Sequence, residues 1–261
     1  MGKSHAAMGL AVGTGLGVAL FGLGSPDWLV SSLAVCGAAV LPDIDEPDSS
    51  VSREFGIVSR WFSKGVNRVA GGHRKLTHSL LGLGIVIALL VPLSFAREAS
   101  AVMFGLLTAT AWRLSIPRVL PFRRMTFLLV GVGSGVLDYR YHPVSNHWFV
   151  LFVGLGWLVH MLGDFLTRGG IPLLYPKSEK SSYPIFGVTG SWAESVFATC
   201  LYLGFFFLAG FWWIHHAAII PSGPHIASVV PQSHAASSAA QGVSGSITKR
   251  LLSLLHLGNG S

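Results

Sequence analysis

The stretch that decides the fold is Trp148-Phe-Val-Leu-Phe-Val-Gly-Leu-Gly-Trp-Leu-Val-His160-Met-Leu-Gly-Asp164-Phe165. It carries no Lys or Arg, and as a helix it rises about 27 Å, close to the ~30 Å hydrocarbon core of a bilayer. It therefore reads as a membrane span. Its polar groups are gathered at one end: His160 and Asp164 stand at i and i+4 on one helical face, and Thr167 continues the stripe at i+7. A histidine and an aspartate stacked at the end of an apolar helix are expensive without a functional partner, so the same stretch also points to a site.

The rest of the chain agrees with the membrane reading. Of 261 residues, 51% are hydrophobic and 11% charged, with 32 Gly and 8 Trp, and the mean hydropathy is +0.59. Soluble domains carry about 25% charged residues, so a cytosolic enzyme, a disordered chain and a coiled coil are all excluded. Six further apolar runs are Ala6–Leu23, Trp28–Leu41, Ser79–Phe95, Ala99–Leu114, Met125–Leu137 and Glu194–Ile214. Trp28–Leu41 and Met125–Leu137 are short, and each is expected to be tilted, re-entrant or half-buried.

Ser25-Pro26 ahead of Trp28, and Ser191-Trp-Ala-Glu194 as a capping box, mark helix starts. Lys3 and the first run could form a signal peptide, but Gly22, Gly24 and Pro26 make a poor cleavage site and favour a helical hairpin. The expected fold is an all-α, polytopic transmembrane helical bundle of about six or seven spans over residues 1–214. A Ser/Ala/Gly-rich tail, mostly disordered, follows over 215–261, with a short amphipathic helix at Ile247–Leu257. Cys36 and Cys200 lie inside apolar runs and assign no redox compartment.

The net charge of +7 does not indicate nucleic acid, because the basic residues form no dense stripe. They sort by side instead. With the N-terminus inside, Lys3, Arg53, Arg60, Lys64, Arg68, Arg74, Lys75, Arg113, Arg118, Arg123, Arg124, Arg168, Lys177 and Lys180 fall on the cytoplasmic side, against Arg97, Arg140, Lys249 and Arg250 opposite. The positive-inside rule selects that orientation.

This topology, set by Lys and Arg alone, gathers the other ionisable groups on one face. Leu41-Pro-Asp-Ile-Asp-Glu-Pro-Asp48 crowds four of the eleven acidic residues. Between its prolines an extended backbone would turn Asp43 and Asp45 to one side, so the stretch reads either as a hard-cation clamp or as a solvated acidic loop. In His73-Arg-Lys-Leu-Thr-His78-Ser the two imidazoles would point about 140° apart on one helix, so joint ligation needs His73 in the preceding loop, which Gly71-Gly72 allows. Thr77 is the expected cap, with His78 in the first turn. Arg74 is either an anion clamp or an ordinary positive-inside charge. His5 completes the set. His142, His147, His215, His216, His225, His234 and His256 fall on the other side or in the tail.

Four imidazoles and three carboxylates, His5, Asp43, Asp45, His73, His78, His160 and Asp164, suffice for one or two divalent ions. Mixed N and O donors without thiolate favour zinc, manganese or iron over calcium. Asp43, Asp45, Arg74 and Thr167 are the candidate catalytic residues, with Glu46 a further candidate base.

These pieces together resemble the YdjM-like inner-membrane proteins, a family classed as membrane-bound metal-dependent hydrolases. The resemblance rests on His5, Leu41-Pro-Asp-Ile-Asp45, His73-Arg-Lys-Leu-Thr-His-Ser79, and His160-x-x-x-Asp164-x-x-Thr167 followed by Gly169 and Leu173-Leu-Tyr-Pro176. Lys75, where the family has a small residue, and the segment Arg113–Tyr141 depart from the pattern. The resemblance implies metal-dependent hydrolysis by a bacterial inner-membrane protein; the topology adds the expectation of a site at the cytoplasmic surface acting on an ester or phosphoester, with a lipid-linked or phosphorylated substrate because helix ends admit an amphiphile laterally. Two other readings remain open at this level: a metal-ion or proton transporter, and a metal-stapled scaffold without catalysis. Empty span centres favour surface chemistry over transport. The sequence gives no oligomeric state.

Overall fold

The computed structural model describes residues 2–53, 56–116, 123–141, 146–178, 180–185, 187–188 and 190–216. Among these the chain is all-helical apart from a single antiparallel bridge between Ile171 and Ser181. The helices are α1 (Gly2–Phe21), α2 (Asp27–Ala38), α3 (Ile57–Ala70), α4 (Leu80–Ser94), α5 (Arg97–Ser115), α6 (Arg123–Tyr141), α7 (Asn146–Phe165) and α8 (Trp192–His216). Two 3₁₀ turns, Leu41–Asp45 and Leu76–His78, lie among them. By packing, the chain divides into Met1–Trp212 and Trp213–Ser261. The tail beyond His216, including the expected helix at 247–257, lies outside the described residues.

Among the described residues, four segments are long and apolar enough to cross a membrane: Gly2–Phe21, Asp27–Asp45, Trp148–Phe165 and Trp192–His216. The expected spans at Ser79–Phe95, Ala99–Leu114 and Met125–Leu137 are helices as well, but Leu80–Ser94 is only 15 residues long and the other two have charged ends. Ser191 and Glu194 start α8 much as their spacing predicts: Glu194 N–H donates to Ser191 Oγ at 3.3 Å, and the Glu194 carboxylate accepts from the Gly190 N–H at 2.6 Å.

Backbone-to-backbone approach sets the helix packing, as expected where lipid gives helices no hydrophobic reason to associate. In α1, Gly9, Gly13 and Gly17 recur every fourth residue against α2. A Cβ at Gly13 would lie 2.9 Å from the Ser31 carbonyl oxygen, and one at Gly17 2.6 Å from Trp28 Cα. α7 meets α2 in the same way, since a Cβ at Gly156 would lie 2.5 Å from that of Ala38. Around this contact Val35, Ala38, Leu107, Phe152 and Val153 form the main core. A second cluster, Leu83, Trp157, Met161 and Ile171, joins α4 to α7 beneath the polar end of the bundle.

Two local structures differ from expectation. The Asp43–Asp45 segment is a 3₁₀ turn rather than extended chain. Pro42 stands at its start, where a missing N–H costs nothing, and the same proline cannot donate to the Ala38 carbonyl, which ends α2 there. Helix α3 was not anticipated. Its charged residues lower its hydropathy, although Gly56 and Gly71, both at positive φ, delimit it clearly.

Candidate metal centre

Four helix ends converge: the N-terminal turn of α1, the turn after α2, the turn before α4, and the C-terminal turn of α7. They deliver His5, Asp43 with Asp45, His73 with His78, and His160 with Asp164 into one cluster. His5, Asp45, His78, His160 and Asp164 are all buried.

The centre of the cluster is the facing pair of imidazoles. His78 Nε2 lies 3.0 Å from His160 Nε2. Asp43 Oδ1 is 3.8 Å from the first and 3.6 Å from the second, and Asp164 Oδ2 is 3.4 Å and 3.6 Å from them. The last of these contacts is the i, i+4 pair read from the sequence of α7.

Both imidazoles are oriented by what their other nitrogens touch. His160 Nδ1 lies 2.8 Å from the Ala39 carbonyl oxygen, which can only accept, so Nδ1 carries a proton and Nε2 is the nitrogen turned toward His78. His78 Nδ1 faces Asp45 Oδ2 at 3.4 Å, which favours a proton at that nitrogen too. A carboxylate or carbonyl behind each ring is the usual outer support of a ligating histidine. Asp164 Oδ2 is buried and accepts no hydrogen bond, a costly state for a carboxylate oxygen without a cation.

Asp45 organises the far side of His78. Its Oδ2 accepts from the Arg74 N–H at 3.1 Å and from the Thr77 hydroxyl, and its Oδ1 meets His73 Nδ1 at 2.8 Å. Asp43 and Asp45 thus flank His78 at its two nitrogens, where an extended strand would have set them side by side. Burial disfavours a charged His73, but the Asp45 carboxylate outweighs it and raises the His73 pKa above its ordinary value. His73 sits in the loop, as joint ligation with His78 requires.

The cap of α4 is Ser79, whose Oγ accepts from the Gly82 N–H at 3.1 Å, and not Thr77. Thr77 is drawn into the site by Asp45, while its carbonyl accepts from Trp157 Nε1 at 2.8 Å, pinning the turn to α7.

Arg74 is neither a surface charge nor an open anion clamp. It is buried, its backbone is left-handed at φ 59°, and its guanidinium lies 2.5 Å from Asp164 Oδ1. A Cβ at Gly169 would collide with that guanidinium, which explains a glycine there. His5 Nε2 reaches Asp164 Oδ1 at 3.4 Å, with its ring stacked on His160 at 4.0 Å between centroids. The Thr167 hydroxyl donates to the Asp164 carbonyl at 2.8 Å and closes the end of α7. Glu46 accepts from the Asp48 N–H at 3.5 Å, a local turn contact.

Sequence reasoning did not anticipate Asn67 of α3, whose side-chain amide donates to the Asp45 carbonyl at 2.6 Å, nor the roles of Trp157 and the Ala39 carbonyl.

A helical membrane bundle that closes its helix ends around buried histidines and aspartates is the class this architecture defines. The chain belongs to the YdjM inner membrane protein family, whose model matches residues 1–222. The inner membrane protein YdjM of Escherichia coli (strain K12) is 30% identical over 166 residues, and so is that of Shigella flexneri; the match covers 62% of this chain. It spans 58% of the length of each of those relatives. No solved structure matches the chain.

Proposed function

We propose that the cluster holds a divalent cation, zinc or manganese, and that the protein is a membrane-bound hydrolase of an ester or phosphoester, reached from the cytoplasmic face of the inner membrane. The observation that carries this reading is the spacing of the Asp43 and Asp164 carboxylate oxygens from the facing Nε2 atoms of His78 and His160. Tetrahedral ligands about 2.1 Å from a common ion lie about 3.4 Å from one another. The contacts linking His78 Nε2 and His160 Nε2 to each other and to Asp43 Oδ1 and Asp164 Oδ2 run from 3.0 to 3.8 Å. The orphaned Asp164 oxygen points the same way. The division of Lys and Arg between the two sides supports the cytoplasmic orientation.

In this reading His78, His160 and Asp164 would hold the ion, leaving Asp43, the more exposed neighbour of the two imidazoles, free to exchange protons. His5 lies beside Asp164, and Asp45 with His73 forms an outer group, so a second ion has donors at either flank. A divalent ion so held would supply Lewis acidity and would lower the pKa of water toward about 7. Asp43, at 14% exposure the open edge of the inner set, takes the proton of the attacking water and returns it to the departing alkoxide. Arg74 fixes Asp164, Asp45 fixes His78, and Thr167 fixes the backbone beneath Asp164. A lipid-linked substrate follows from the placement of the site at helix ends, where an amphiphile arrives laterally.

The test is elemental analysis and hydrolysis of a chromogenic phosphodiester by purified protein and by H160A/D164A protein that inserts normally. Both metal and hydrolysis should disappear together; full metal content in the variant overturns the proposal. A structural staple is the second reading, favoured by side-chain exposures of 0% for His78 and His160 and 1% for Asp164. Asp43→Asn separates the two: the hydrolase keeps metal and loses turnover, whereas a staple shows no turnover in either protein.

A further inference from the structure

Helix α3 is amphipathic in an inverted sense. Its small residues Ser59, Ser63 and Ala70 face the protein and are buried, while its large apolar residues face outward. Ile57, Val58, Trp61, Phe62 and Val69 are 76%, 76%, 75%, 64% and 80% exposed. At 100° per residue these five span an arc of about 140°, with Gly65 near its middle, and Arg60, Lys64 and Arg68 lie along one border of it. A helix in water turns such a face inward, so this one meets an apolar medium.

The position of α3 identifies the medium. Asn67 ties it to the Asp45 carbonyl, in the turn that ends the Asp27–Asp45 candidate span. The ends of the Gly2–Phe21 and Trp148–Phe165 candidate spans meet at the same cluster through His5 and Asp164. Where membrane-crossing helices end, the headgroup layer lies. Trp and Phe on the outward face with Lys and Arg at its border is the arrangement of a helix lying in that layer. The helix contains no Asp or Glu; among the described residues Asp48 pairs with its Arg60 at 2.7 Å, and both side chains of that pair are exposed.

We propose that α3 is an interfacial helix that seats on anionic phospholipid headgroups, its apolar arc in the acyl boundary and Lys64, Arg68 and Arg60 at the level of the phosphates. The inference is independent of the hydrolase reading. It gives the loop that carries His73 and Arg74, which follows directly from Gly71, a membrane-anchored base.

Gly65 offers a direct probe, because a Cβ there meets nothing within 4 Å. Cys36 is buried and Cys200 exposed, so a nitroxide on Gly65→Cys in a Cys200→Ser background labels the face selectively. The full chain is reconstituted in phosphatidylcholine bilayers with and without phosphatidylglycerol, and collision with oxygen is compared with collision with a water-soluble nickel chelate. In the anionic bilayer the oxygen-to-nickel ratio should rise severalfold over that of an aqueous label, and R60Q/K64Q/R68Q should lower it toward the neutral-lipid value. An aqueous ratio in anionic lipid, a ratio insensitive to lipid charge, or spin–spin broadening from a second copy each overturns the proposal. Hydrogen exchange of the 57–70 amides in unlabelled protein is the second measurement: greater protection in anionic than in neutral bilayers is expected, and equal protection overturns it.

Discussion

The α1–α2 and α5–α6 pairs are joined by the same device and put it to different use. In the first, Gly13 admits the Ser31 carbonyl; in the second, a Cβ at Gly135 would lie 2.9 Å from the Ala101 carbonyl and one at Gly131 2.9 Å from the Ala109 Cβ. The α1–α2 pair ends in His5 and Asp43, part of a buried polar cluster. The α5–α6 pair ends with Arg97 over the Tyr139 ring at 4.5 Å, and encloses an almost wholly apolar groove between Ala101, Gly105, Leu128 and Val132. Small-residue packing brings backbones together; among the described residues, the groups of histidine and aspartate spaced to hold a metal lie at the converging ends of α1, α2, α4 and α7 and not in the α5–α6 pair.

The largest effect that would break this contrast is removal of Asp164. Asp164→Ala leaves the buried Arg74 guanidinium without its carboxylate, and loss of one partner from a buried ion pair costs about 3–5 kcal/mol. The thermal midpoint in detergent should fall steeply, and the double change D164A/R74M should recover part of the loss. A midpoint unchanged by Asp164→Ala would show that the pair carries no net stabilisation.

Next come the glycines. Gly13→Val and Gly131→Val each force a side chain into a backbone contact, and such overpacking costs about 1–3 kcal/mol. Stability should drop similarly in both, but only Gly13→Val should lower metal content, because only α1 carries a residue of the cluster. Equal metal loss in the two variants would mean that the α5–α6 pair also shapes the site.

How far the sequence could be read follows the same division. Spacing along one helix was legible: His160 and Asp164 at i, i+4 meet the same partners in the structure, and the apolar runs correspond to helices. Contacts that depend on backbone detail were not. Pro42 starts a 3₁₀ turn where two flanking prolines suggested extended chain, so Asp43 and Asp45 reach His78 from opposite sides. Arg74 read as an anion clamp or a positive-inside charge, not as the partner of Asp164; a left-handed backbone after two glycines turns it inward. Ser79 rather than Thr77 caps α4 because Asp45, distant in sequence, takes the Thr77 hydroxyl. Helix α3 carries a legible amphipathic pattern, but Arg60, Lys64 and Arg68 offset its hydropathy, so a search for membrane spans passes over it.

A smaller effect distinguishes the inner ligands from their supports. Asp45→Asn keeps the shape but weakens the acceptor behind His78 Nδ1, and loss of such outer partners costs about 10–100-fold in metal affinity. A competition titration with a chromophoric chelator should show a decrease of that size, well short of the loss in H160A/D164A. A loss as complete as in that double variant would move Asp45 into the inner set.

The smallest effect concerns His73, 29% exposed at its side chain and therefore partly screened. Its pKa is raised in the folded protein, burial opposing and the Asp45 carboxylate prevailing. A raised pKa means that the folded state binds the proton more tightly than the unfolded chain. The stabilisation is then fully present below the unfolded value of about 6.5 and is lost as pH climbs through the folded value. In chelator the midpoint should therefore decline modestly as pH rises above about 6.5, and His73→Asn should remove that part of the slope. Added metal should reverse the trend, because ligating imidazoles must be neutral and binding strengthens as protons leave. A midpoint that rises with pH in chelator, with wild-type His73, would contradict the pairing with Asp45.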